Sequence, residues 1–227
     1  MKNQFIVNVF FCLFFLQTNA QSPNFSEDIA TIIYNNCTNC HRVGGINSDF
    51  PFTTYSEVSA MGFSIQSAVN DREMPPWPPD TSFSRFVHER ILTPGEISLI
   101  NDWVNNGTPE GDPSLAPSLP AFNDGTVLGT PDLSLTIPAY TSNATSTSDD
   151  YVCIALPTTH TQDKYVRSIE IVPGNRQIVH HALIYIDETG NAQTDLSGIC
   201  MGPADGDMIG AYVPGSSPVI FPDGDNT

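Results

Sequence analysis

Apolar and polar positions alternate with two different periods along this chain, and the change of period divides it. Ser26 stands before Glu27 and Asp28, and Ile29, Ile32 and Ile33 follow at helical spacing, which predicts a helix opening at Ser26 with two carboxylates at the positive end of its dipole. Val58, Met61, Ile65 and Val69 predict a second helix over about 55–70. Thr93-Pro94-Gly95-Glu96 forms a capping box with proline at the first helical position. Ile97, Ile100, Trp103 and Val104 follow, and Asn105-Asn106-Gly107 closes the segment. Beyond Pro138 the period becomes two: Tyr151–Leu156, Tyr165–Ile171 and Ile178–Ile186 alternate, as does the earlier run Leu133–Ile137. Pro, Gly and Asn clusters separate these runs and predict an antiparallel β-sandwich with Val152, Ile154, Ile169, Ile171 and Leu183 inside it.

The joint between the two textures is rich in proline and carries no helical period, so residues 114–125 are expected to be a semi-extended linker that spaces two units more than it folds with either. The expected organisation is multidomain: a small all-α unit over 21–113, the linker, and a jelly-roll-like antiparallel sandwich over 126–227. Residues 1–20 form a separate segment. Lys2 is its one charge, Phe5–Leu16 is almost wholly apolar, and Thr18 and Ala20 supply the small residues of a signal-peptide cleavage site after Ala20. That apolar run is too short for a bilayer span, which needs ~20 residues. Cys12 within it is read as filler. The chain is therefore expected to be exported, periplasmic or secreted, from a bacterium, with no membrane span after cleavage.

Composition changes this picture in two ways. The formal net charge of -17 leaves nucleic acid and anionic membranes out as partners. Export sets an oxidising compartment, in which both c-haem attachment and disulfides belong. The motif Cys37-Thr38-Asn39-Cys40-His41 has the spacing of a c-type haem attachment site: two thiols for the porphyrin and an imidazole for its iron. At this Cys and His content the pattern arises by chance in on the order of a few chains per thousand. With Cys37 and Cys40 given to haem, Cys153 and Cys200 are the only possible intramolecular disulfide.

A haem that only carries electrons needs a sixth ligand, for which Met61, Met74 and His88 are candidates. Met74 opens Met74-Pro75-Pro76-Trp77-Pro78-Pro79, where successive prolines stiffen a loop able to aim a thioether. Met61 belongs to the apolar helix face, and His88 sits in a polar segment. With its start helix, loop methionine and closing helix, the segment 21–113 resembles the class I cytochromes c, in particular the single-haem domains with a Met-Pro-Pro-Trp loop that are fused to secreted oxidoreductases. That resemblance strengthens Met74 as the axial partner of His41.

His180-His181 is weak evidence taken alone, since an adjacent pair arises in about one chain in ten of this composition, and neighbours on a regular strand point to opposite faces. The surrounding pattern adds to it. Tyr151-Val-Cys153, Ile171-Val-Pro-Gly-Asn175, Val179-His-His-Ala-Leu-Ile-Tyr185 and Cys200, together with Leu128-Gly-Thr-Pro-Asp132, resemble the N-terminal domain of the copper type II, ascorbate-dependent monooxygenases, which are peptidylglycine- or dopamine-monooxygenase-like. The resemblance implies that His180 and His181 ligate copper and that Cys153 pairs with Cys200. It also implies a third imidazole, and a second sandwich with a His-x-His pair and a Met, neither of which follows here. The domain is thus expected to be incomplete, with no catalytic residue in this stretch.

Together these readings predict a haem–copper oxidoreductase. A redox partner protein or an ascorbate-like reductant would supply electrons, and O2 and a small organic substrate would be consumed by the full-length protein. The alternative is an electron carrier whose β-rich part only docks a partner.

Overall fold

The computed structural model describes residues 22–123, 125–203 and 206–222, so the expected signal peptide, Cys12 included, lies outside the described residues. The helices gather in the first half. A π-helical turn, Phe25–Ile29, continues into α1, Ala30–Asn36; α2 is Tyr55–Ala60, α3 is Gly62–Asn70 and α4 is Pro94–Asn105. Their facing residues form one core that includes Phe25, Ile29, Ile33, Phe52, Val58, Val69, Leu92, Ile100 and Trp103. Among the described residues no helix is long and apolar enough to cross a membrane.

The first helical segment is capped by Asn24, not by Ser26. The Asn24 Oδ1 accepts from the Glu27 N–H at 2.9 Å, and Asn24 Nδ2 donates back to the Glu27 carboxylate. Ser26 is instead buried, its hydroxyl donating to the Glu110 carbonyl at 2.8 Å, so it ties the start of the chain to residues 109–110. The helix expected over 55–70 is broken at Met61, whose φ of -104° and ψ of 10° leave the helical region. Gly62 follows, and a Cβ there would lie 3.1 Å from Thr108 Cγ2 and 3.6 Å from Val104 Cγ2. The break and the missing side chain let α3 approach α4 closely. The capping box at Thr93 and Glu96 forms as expected, with Pro94 in the first turn.

A second capping box, at Thr54 and Glu57, starts α2. Burial works to raise the Glu57 carboxyl, but hydrogen bonds from Thr53 and Thr54 outweigh it and hold the group below its ordinary range. A depressed carboxylate stabilises the folded state above its unfolded pKa, and that contribution disappears as pH falls through the folded value. Glu57→Ala should therefore cost about 1 kcal/mol at neutral pH in urea denaturation and almost nothing once the pH is below the depressed value. An equal loss at both pH values would refute this role.

The expected architecture of an all-α unit followed by a jelly-roll-like sandwich is not what forms. The described residues are mostly non-helical, with long irregular stretches over 43–54 and 71–92 even between the helices. The described residues of the second half form three separate two-stranded antiparallel ladders. With β1 Tyr151–Cys153, β2 Ser168–Ile169, β3 Ala182–Ile186, β4 Asp195–Gly198, β5 Asp207–Tyr212 and β6 Val219–Ile220, the pairs are β1 with β4, β2 with β6, and β3 with β5. Leu133–Ile137 forms no strand. None of the five residues expected inside the sandwich is buried, and Leu183 is 48% exposed; Tyr212 is the one described apolar side chain of the second half that is buried. The physical reason is width. Alternation marks which face of a strand is apolar, but a sandwich also needs two multi-stranded sheets whose apolar faces meet. Two-stranded ladders offer too little surface for that.

The disulfide Cys153–Cys200 does form and links β1 to the residues just after β4, closing a sequence separation of 47. The proline-rich stretch is not only a spacer: the Phe122 ring lies beneath the Arg42 guanidinium, 4.5 Å from it, and so joins the linker to the thiol-bearing segment.

Candidate haem-attachment site

Helix α1 delivers the two thiols. Its end is a tight turn in which the N–H groups of Cys37 and Thr38 donate to the Ile33 carbonyl, and those of Cys40 and His41 donate to the Cys37 carbonyl at 3.1 and 3.0 Å. Thr38 is fully buried and anchors the turn by donating its hydroxyl to the Tyr34 carbonyl at 2.6 Å. Cys37 consequently packs against the helical core, while Cys40 sits among Arg42, Arg90 and the Pro214 carbonyl. Both are free cysteines. Burial, with a smaller contribution from Cys40, pushes the Cys37 thiol up to about 12. Burial also raises Cys40, and the Arg90 and Arg42 guanidinium groups partly offset that. Neither thiol is therefore ionised at neutral pH.

His41 is held from three sides. Its ring stacks on Phe52 at 4.2 Å with an 8° interplanar angle, its Nδ1 lies 2.9 Å from the Phe50 carbonyl, and Asn47 Nδ2 lies 3.4 Å from its Nε2. A carbonyl can only accept, so Nδ1 carries the hydrogen and Nε2 keeps its lone pair. Burial lowers the His41 pKa, against an opposing pull from the Phe50 carbonyl, which favours the neutral ring. The result is a neutral imidazole of fixed tautomer beside two thiols. An orienting carbonyl on the far nitrogen is the arrangement that positions a metal-ligating histidine.

Met74 lies where the chain turns after α3. The N–H groups of Glu73 and Met74 both donate to the Ala68 carbonyl, and Arg72 Nη1 donates to the Leu92 carbonyl at 2.7 Å, fastening this turn to the approach to α4. The Met74 side chain is 40% exposed, on a different loop from the one that holds His41. Trp77 meets Phe86 edge-on, and its indole Nε1 is buried without an acceptor. Phe50, Phe83 and Val87, on the loops that follow the thiol motif and the proline run, are exposed, Phe83 to 92%. The residue types suit a haem: an imidazole with Nδ1 already committed, two un-ionised thiols, exposed apolar side chains on the neighbouring loops, and a buried indole N–H that an anionic group such as a propionate would satisfy. Met61 is half-buried against the core and His88 is exposed, in keeping with their reading as bystanders.

His180 and His181 do not lie on a strand. They immediately precede β3, both exposed, so the opposite-face rule does not separate them; their ring centroids are 5.5 Å apart at 65°. Two imidazoles sharing a tetrahedral ion at ordinary bond lengths have centroids about 5 Å apart. Tyr151 stands 5.8 Å from the His181 ring. Among the described residues no group of three His, Cys, Asp or Glu side chains is assembled, so the pair offers two nitrogens to a copper ion and no third ligand joins them.

Three features escape sequence reasoning. Phe50, Phe52 and Asn47 orient His41 but follow it in a stretch without period, where only the density of aromatics in Phe50-Pro51-Phe52 hints at a role. Arg90 and the turn around Pro214 reach the thiols from more than a hundred residues apart. A cavity of about 470 Å3 opens along this seam, lined by Tyr34, Thr38, Arg42, Phe122, Glu170 and Tyr212 among others. No family model, no curated protein and no solved structure matches the chain.

Proposed function

We propose that this chain donates electrons through a c-type haem in an exported haem–copper oxidoreductase. The observation that carries the proposal is the neutral His41 ring, whose Nδ1 is committed to the Phe50 carbonyl and whose Nε2 keeps the lone pair, met by Asn47 Nδ2 at 3.4 Å, a contact that a metal would replace. Cys37 and Cys40 would hold the porphyrin by thioethers, His41 and Met74 would ligate its iron, and His180 with His181 would bind copper. Haem would supply one-electron carriage, and copper chemistry would supply reactivity toward O2 for hydroxylating the C–H bond of a small organic substrate. The chain's own residues fix the imidazole tautomer, keep the thiols un-ionised and present a soft thioether, which favours a higher haem potential. A redox partner protein or an ascorbate-like reductant provides the electrons.

Export of the chain alongside haem-attachment machinery should give a haem that stays with the polypeptide under denaturing conditions; a colourless product would refute the haem assignment. For the copper assignment, His180→Ala and His181→Ala should each weaken copper binding at least ten-fold in a direct titration. Binding equal to that of the unaltered chain would leave the second reading, an electron carrier whose β-rich half docks a partner. The pair's lack of a third ligand among the described residues favours that reading.

A further inference from the structure

The thiol turn is covered by a segment from the far end of the chain. The Pro214 carbonyl accepts from Arg90 Nη1 at 2.9 Å and lies 3.9 Å from Cys40 Sγ. Gly215 follows with φ of +76°, and a Cβ there would lie 3.1 and 3.2 Å from the two terminal nitrogens of Arg90 and 3.2 Å from Asn39 Nδ2. Only a residue without a side chain brings the backbone this close to the loop between the two thiols. The covering segment is a closed turn, since the Ser216 N–H donates to the Val213 carbonyl at 2.9 Å and the Val213 N–H donates to the Ser216 hydroxyl at 3.2 Å. It is also continuous with the histidine pair. β5 ends at Tyr212, whose ladder partner is Ala182, the residue directly after His181.

We propose that the Val213–Ser216 turn is an intramolecular docking surface for the thiol turn, which couples the β-rich half to the first half and gates chemical access to Cys40. Its meaning for maturation rests on the haem reading above. In thioether formation the Cys40 S–H adds across a haem vinyl: a C–S bond forms, the vinyl double bond becomes single, and the thiol hydrogen passes to the neighbouring vinyl carbon, with no oxidant consumed. The Cys40 sulfur must be approached for this, and the Pro214 carbonyl and the Arg90 side chain occupy one flank of it. Addition therefore belongs to the state with the turn lifted, and docking follows on a first half that already bears haem.

The test is alkylation of the haem-free full chain by iodoacetamide, with modification of Cys40 followed by peptide mass spectrometry. Cys40 of the unaltered chain should react at least ten-fold more slowly than Cys40 of Gly215→Val, where a β-branched residue is strained at φ +76° and crowds the ends of the Arg90 and Asn39 side chains. Arg90→Ala should also accelerate it. Losing the guanidinium alone would slow the reaction by leaving less thiolate, so acceleration in that variant reports uncovering. Equal or slower Cys40 alkylation in both variants, with helical circular dichroism retained, overturns the docking assignment; if Gly215→Val loses its helices, Arg90→Ala decides. Covalent haem yield judges the haem reading separately, since this alkylation involves no haem.

Discussion

His41→Ala, exported with haem-attachment machinery, should keep a covalently bound haem and lose the low-spin spectrum of a histidine-ligated iron, whereas the double variant Cys37→Ala, Cys40→Ala should carry no covalent haem. The two outcomes separate because the motif divides its work. In the proposed site the thiols would bond the porphyrin periphery, and the imidazole would ligate the iron through Nε2, since the Phe50 carbonyl takes Nδ1. Removing the ring also removes its stack on Phe52 and its hydrogen bonds with Phe50 and Asn47, at a cost of about 2 kcal/mol in the apo fold, too little to unfold a domain of ordinary stability. Absorption spectra with and without added imidazole provide the check. Imidazole should restore the low-spin spectrum to His41→Ala, and an unchanged spectrum in that variant before imidazole is added would remove His41 from the iron.

The largest effect on stability should come from Trp103→Ala, about 4 kcal/mol in urea denaturation. The side chain is fully buried, its ring stands 6.3 Å from that of Phe25, and its indole N–H donates to the Pro109 carbonyl at 3.0 Å. Truncation leaves a cavity where α4 meets the π-helical turn that leads into α1, and it strands the Pro109 carbonyl. That loss is a large fraction of the roughly 5–15 kcal/mol by which domains of this kind are stable. Trp103→Phe keeps most of the packing and loses the hydrogen bond, so about 1–1.5 kcal/mol should separate it from the unaltered chain. Near-equal stabilities of the alanine and phenylalanine variants would contradict this assignment. Because α1 carries Cys37 at its end, the alanine variant should also give less covalent haem.

The helical half was the more legible because its signals are local. A capping box at Thr93, a proline in the first turn and a glycine after the last are satisfied within a few residues, and α4 follows them closely. The sequence points to Ser26 as the cap because a serine before two acids is a good cap in isolation; Asn24 caps instead, and only the pairing with residues 109–110 decides that the Ser26 hydroxyl turns inward. In the second half, alternation identified β1, β2 and β3 only in part and overstated their length. The run 133–137 has a strand's pattern but no partner to hydrogen-bond with, and pairing cannot be read from one strand.

Residue identity and spacing alone determined that two thiols and an imidazole share one turn at the end of an amphipathic helix, that a methionine opens a proline-stiffened loop, and that Cys153 and Cys200 were the remaining pair. These are statements about neighbours in the chain, for which a few covalent bonds set the geometry. Tertiary structure alone decided which His41 nitrogen is available, because the Phe50 carbonyl is brought to it by the return of the chain over 42–52. It alone divided the apolar strands among three narrow ladders and laid Pro214 and Gly215 over Cys40. Such contacts depend on loop closure over tens to more than a hundred residues, and no local pattern encodes where a loop comes to rest.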